Sequence, residues 1–117
     1  MITLGKIAEW VLDNRRGKAF VRYTLKETLD EITWCSDKRT IIVVTDDNGY
    51  IVGVTTGRVD VNENVFFVYN VLTTKPGIFQ QMKQWIHTNF PGYTIEGVIR
   101  GIRRIQYRQS QQTVNRI

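Results

Sequence analysis

The run Ile41-Ile42-Val43-Val44 constrains the fold more than any other stretch of the chain. Four consecutive β-branched residues favour a strand over a helix, because their stiff side chains suit a pleated surface. A strand with water on one face alternates apolar and polar positions, so an unbroken run predicts a strand covered on both faces. Asp46-Asp47-Asn48-Gly49 follows it and reads as a tight turn, since Asn and Gly accept positive φ at low cost. Tyr50 to Thr56 is then the return strand, and Gly53 within it predicts a bulge or a close backbone approach. Val65 to Leu72, rich in Val and Phe, reads as a third strand.

The flanking sequence supplies helices. From Thr3 to Asn14, Leu4, Ile7, Ala8 and Val11 keep the i, i+3, i+4, i+7 spacing of one buried helical face, and Gly17 can end the element. Phe20 to Tyr23 reads as a short extended piece. Thr24-Leu25-Lys26-Glu27 has the capping-box pattern and opens a second helix ending near Trp34, with Leu25, Leu29 and Ile32 on one face. Thr73-Thr74-Lys75-Pro76-Gly77 leads into a third helix, Ile78 to Phe90, whose apolar face is Met82, Trp85, Ile86 and Phe90. Pro91-Gly92 stops it. Tyr93 to Ile99 and Ile102 to Tyr107 then read as a pair of strands turning at Gly101. The predicted class is α+β: two N-terminal helices, an antiparallel β-meander, one helix after the third meander strand, and a C-terminal β-hairpin. The 117 residues fit a single domain, 1–117, long enough to bury a core without disulfides.

Charge is distributed unevenly. Residues 1–96 hold 11 Lys/Arg and 11 Asp/Glu and sum to zero. Residues 97–117 hold Arg100, Arg103, Arg104, Arg108 and Arg116 and no acid, so the whole net charge of +5 lies there. Tyr107 and several glutamines are interleaved with these arginines. Arginine makes planar two-pronged contacts with phosphate and carboxylate. The segment therefore predicts an anionic partner, either nucleic acid or an acidic protein surface.

Other chemistry finds little support. Cys35 is the only cysteine and reads as a buried, inert thiol. His87 is the only histidine, which excludes paired-histidine metal motifs; helical spacing assigns it to the surface. Asp46 and Asp47 lack the spaced ligands of a calcium loop, and no metal is expected. Trp10, Trp34 and Trp85 fall within predicted helices and are assigned to core packing. Glu27, Asp30 and Glu31 would repel phosphate, which argues against a helix-turn-helix reader. The first 15 residues alternate apolar and polar and contain Glu9 and Asp13, unlike a signal peptide. No apolar run approaches the roughly 20 residues that span a bilayer, so a cytoplasmic location and no membrane partner are expected.

The order of elements, with the acidic-Gly turn and the strand Tyr50-Ile51-Val52-Gly53-Val54, resembles the core of the GNAT acyltransferase superfamily over roughly residues 1–100. The resemblance implies a coenzyme loop before the third helix, where acetyl-CoA would lay its pyrophosphate on unpaired helix N–H groups. The residues at that place are Thr74, Lys75, Gly77 and Ile78. Gly77 matches the first glycine of the family's Gln/Arg-x-x-Gly-x-Gly/Ala motif. Thr74 stands where the family has Gln/Arg, Phe79 where it has a small residue, and Pro76 removes a donor. The family's later helix is missing from the pattern. Tyr107 is the one tyrosine past Tyr93, and Glu63 is the nearest candidate base on the meander. The 73–77 loop, Phe90-Pro91-Gly92-Tyr93 and Gly97-x-x-Arg100-Gly101 also look like truncated proteins of this pattern encoded by bacteriophages, some carried in virions. The expectation is a GNAT-like, non-catalytic binding protein, a virion component if phage-encoded, using the basic hairpin and tail 97–117. The alternative is a small acetyl-CoA-dependent N-acyltransferase.

Overall fold

The computed structural model describes residues 2–17, 19–99 and 103–107, the last segment and Val98–Ile99 as backbone. Its elements are α1 (Leu4–Asn14), α2 (Leu25–Lys38), β1 (Ile41–Thr45), β2 (Ile51–Asp60), β3 (Val65–Thr73), α3 (Ile78–Asn89), β4 (Thr94–Ile99) and β5 (Arg103–Tyr107). The class is α+β, as the sequence predicts. Strands β1 to β4 form a mixed sheet in chain order, and β5 pairs with the outer side of β4. The meander β1–β2–β3 is antiparallel. Helix α3 carries the chain back, so β4 lies parallel to β3, pairing Val65–Val68 with Thr94–Gly97.

The sheet is covered on both faces, which explains the unbroken apolar run in β1. Ile42 and Val44 face the cluster under α3, with Val52, Phe66, Val68, Ile78, Met82, Ile86 and Ile95. Ile41 and Val43 face the cluster under α1 and α2, with Ile7, Val11, Phe20, Ile32, Val54 and Leu72. Because β1 is the outermost strand, only Ile42 is buried; Ile41, Val43 and Val44 are partly buried and Thr45 is exposed.

Two bulges shape the sheet. Val44 pairs with Gly53 and Thr45 with Ile51, so Val52 is the extra residue on β2. Val52 joins the α3-side cluster, and a Cβ on Gly53 would lie 2.6 Å from both Ile78 Cγ2 and Met82 Cε. Gly53 thus serves both readings made from the sequence, bulge and close approach. The second bulge lies on β3, where Thr56 pairs with Asn70 and Gly57 with Val68, leaving Tyr69 extra.

Several local expectations are corrected. Phe20 to Tyr23 is a turn, with Phe20 and Arg22 at φ 53° and 65°. The fully buried Phe20 ring dictates this, anchored as its N–H donates to Asn70 Oδ1 at 3.0 Å. Helix α2 runs one turn past Trp34 to Lys38 and ends on Arg39 in the left-handed region. Its capping box forms as predicted, but its buried face is Thr28, Ile32 and Cys35, while Leu25 is 55% exposed. Thr28 can face the sheet because its hydroxyl donates to Thr24 O at 2.8 Å. Trp34 and Trp85 lie largely outside the core and Trp10 is partly buried, so the tryptophans are not the core residues their helical placement predicts.

Candidate functional site

Three places bear on function. The first is loop 73–78, where β3 hands over to α3. Thr74 is tied down: its N–H and its hydroxyl both donate to Val52 O, at 3.0 and 3.4 Å. Lys75 Nζ stands 3.8 Å from Asp46 Oδ2, so its charge is shared with the β1–β2 turn. The other Asp46 oxygen accepts the N–H groups of Asn48 and Tyr50. Gly77 is the N-cap of α3 at φ 82°, a conformation suited to glycine, and it brings no capping side chain. Ile78 is buried and holds the helix onto Gly53. Phe79 packs partly into the α3-side cluster with Lys83 Nζ 5.3 Å from its ring centre. The four residues predicted to hold coenzyme therefore do come together, with Thr74 and Lys75 already engaged by the protein itself. Glu63 does not join them. It lies in the turn before β3, whose nine residues separate it from the loop by about 30 Å.

The second place is the β4–β5 pair. Arg103 stands opposite Ile99, Arg104 opposite Val98, and Tyr107 opposite Ile95. These three predicted binding residues thus occupy the outer strand of the sheet. Arg100, Arg108 and Arg116 lie outside the described residues.

The third place is a polar cluster that reading the sequence missed. Arg58, on β2, donates to Glu31 on α2 through a short ion pair and to Cys35 Sγ at 3.0 Å. Its guanidinium lies 3.8 Å from the Trp34 ring centre and 5.3 Å from that of Tyr69. Glu31 also accepts from Thr56, and Thr56 from Asn70 at 3.1 Å. The β3 bulge builds this network, because it turns Tyr69 and Asn70 to the same face. An open groove of about 350 Å³ beside it is lined by Tyr23, Glu27, Asp30, Glu31, Trp34 and Arg58. The Glu31 side chain is only 10% exposed, so Arg58 neutralises a carboxylate that would otherwise be costly there. Cys35 is buried, as the sequence predicts, and burial pushes its thiol pKa up. Little in the sequence signals it, because Arg58 lies past Thr56, where the return strand is expected to end, and joins β2 only in the folded sheet.

His87 also departs from expectation. It is half-buried, and its Nε2 is buried without a partner among the described residues. Burial, reinforced by Lys83, pulls its pKa below the ordinary histidine value. Among the described residues no cluster of three or more His, Cys, Asp and Glu is placed to hold a metal, and no helix is long and apolar enough to cross a membrane. Comparison with protein-family models, with curated proteins and with solved structures finds no match to this chain.

Proposed function

We propose that this GNAT-like domain works by binding rather than by catalysis, with its basic C-terminal hairpin engaging the phosphate backbone of nucleic acid. The observation that carries this reading is the place of Arg103 and Arg104. They sit on the outer strand of the sheet, within the segment 97–117 that holds the whole charge excess of the chain. Arginine on an outer strand, away from the two apolar clusters, suits contact with phosphate. The engaged state of Thr74 and Lys75 and the distance of Glu63 favour binding over group transfer. Such a role suits a component packaged beside a genome in a phage particle.

The test is fluorescence anisotropy with a short duplex across salt concentrations. Phosphate contacts lower log K by about 0.9 per log salt for each phosphate neutralised. Arg103→Ala with Arg104→Ala should weaken binding about tenfold or more at low salt and flatten the slope by about two. Unchanged affinity and slope would remove the hairpin as the contact surface. Binding to a polyanionic protein but not to DNA would redirect the reading to an acidic partner.

One observation favours the acyltransferase alternative. The β3–β4 pairing ends at Gly97, and β3 runs on for five residues to loop 73–78 with no β4 partner among the described residues. The strands thus part beside the start of α3, where the resemblance implies acetyl-CoA would lie. A thermal shift with acetyl-CoA at millimolar concentration would support this second reading, and its absence would remove it.

A further inference from the structure

Among the described residues, nothing protects the β1 edge of the sheet. Edge strands of monomeric proteins are usually blunted by Lys or Arg, by proline, or by a covering segment. Ile41-Ile42-Val43-Val44-Thr45 has no charge and no proline, and no backbone hydrogen bond reaches its outer side from the described residues. The opposite edge, β5, carries two arginines. A groove of about 450 Å³ runs along β1, lined by all five of its residues and by Gln81 and Trp85 of α3. Trp85, 38% exposed, offers an aromatic face to whatever lies there.

Charge at the two ends of the strand indicates the occupant. Lys38 and Arg39 precede β1, and Asp46 and Asp47 follow it. An antiparallel neighbour with the same sequence would bring its acidic end to the basic end of this strand, and the reverse. Arg39 and Asp47 are both exposed and each stands four residues from Val43. A twofold axis perpendicular to the sheet at Val43 keeps the two faces of each copy in common. It sets Ile42 opposite Val44 and Ile41 opposite Thr45, apolar beside apolar on the α3 side. It brings Arg39, just before the strand, toward Asp47 of the other copy, just after it, twice over, and it puts both Trp85 rings on the same face of the joined sheet. We infer that β1 pairs with β1 of a second copy of this chain, joining the two sheets into one continuous sheet across a twofold axis.

Sedimentation velocity on the full chain, over a concentration series reaching about 200 µM, tests this. The wild type should form a dimer. Arg39→Glu alone and Asp47→Lys alone should each weaken it about tenfold, because the symmetry turns two attractive pairs into two repulsive ones. The double variant Arg39→Glu/Asp47→Lys should restore wild-type association. Both residues are exposed, and far-UV circular dichroism should show each variant folded. A chain that stays monomeric throughout overturns the inference, and is the result expected if an extended segment of another protein occupies this edge. A dimer indifferent to both single reversals, or not restored in the double variant, overturns it equally.

Discussion

At the scale of the single residue, His87 gives a pH dependence of defined sign. Adding a proton there places charge in a half-buried site beside Lys83, so the folded chain binds the proton less tightly than the unfolded chain. Stability from neutral His87 is complete above about pH 6.5 and declines as the pH falls below that value. Urea midpoints measured between neutral and mildly acid pH should fall more for the wild type than for His87→Gln. Parallel declines would show that the imidazole does not contribute. The sequence assigned His87 to the surface from helical spacing alone. Spacing gives direction around the α3 axis, but the depth of a side chain depends on what the sheet and following chain lay over it. Arg58 teaches the same lesson from the other side. Its charge was plain in the sequence, whereas Glu31, 27 residues earlier, became its partner only when α2 was laid across β2.

At the scale of the element, the bulges in the meander make two glycines unequal. A Cβ on Gly57 would lie 2.5 Å from the Phe67 carbonyl oxygen and 2.6 Å from the Phe66 ring. A Cβ on Gly53 would meet only side-chain atoms of Ile78 and Met82 that closely, and the Met82 methyl can swing aside. Gly57→Ala should therefore destabilise by about 3 kcal/mol and Gly53→Ala by about 1 kcal/mol. Equilibrium urea denaturation of the two variants checks the ranking. The reverse order would mean that the strands slide more readily than the α3 side chains repack. Gly53 was legible as a special position because it interrupts an apolar strand. Gly57 was not, because it lies past the predicted end of the strand at Thr56, and the β2 backbone extends to Asp60 only through pairing with β3. Helix α2 was misjudged for a similar reason. Leu25 and Leu29 looked like its core face, yet the sheet takes Thr28, Ile32 and Cys35.

At the scale of the whole molecule, one sheet serves two apolar layers. The α1–α2 layer and the α3 layer share every residue pair of β1 through alternation, so neither retains a floor if the strands separate. Unfolding should be a single transition. Trp10 and Trp34 belong to the first layer's helices and Trp85 to the second. Fluorescence of Trp85→Phe, which reports α1 and α2 alone, should coincide with far-UV circular dichroism of the same protein in urea. An earlier fluorescence transition would show that α1–α2 comes away first. Self-pairing at β1 would also leave β5 of each copy at an outer edge, nine strand spacings or about 43 Å apart in a flat sheet. Two basic edges on one particle would bind a long polyanion more tightly than either alone.

The sequence by itself determined the order of the three helices and the first four strands, the hairpin turn, the capping box of α2 and the concentration of charge beyond residue 96. These follow from interactions within a few residues: side-chain branching, turn conformations and capping hydrogen bonds act before the chain has closed on itself. Only the tertiary structure decided that β4 runs parallel to β3, that Tyr69 and Asn70 share a face, that Arg58 meets Glu31, and that Lys75 is engaged by Asp46. Each of those joins residues distant in sequence, and their geometry is set by how the helices lie across a bulged sheet, which no local pattern encodes.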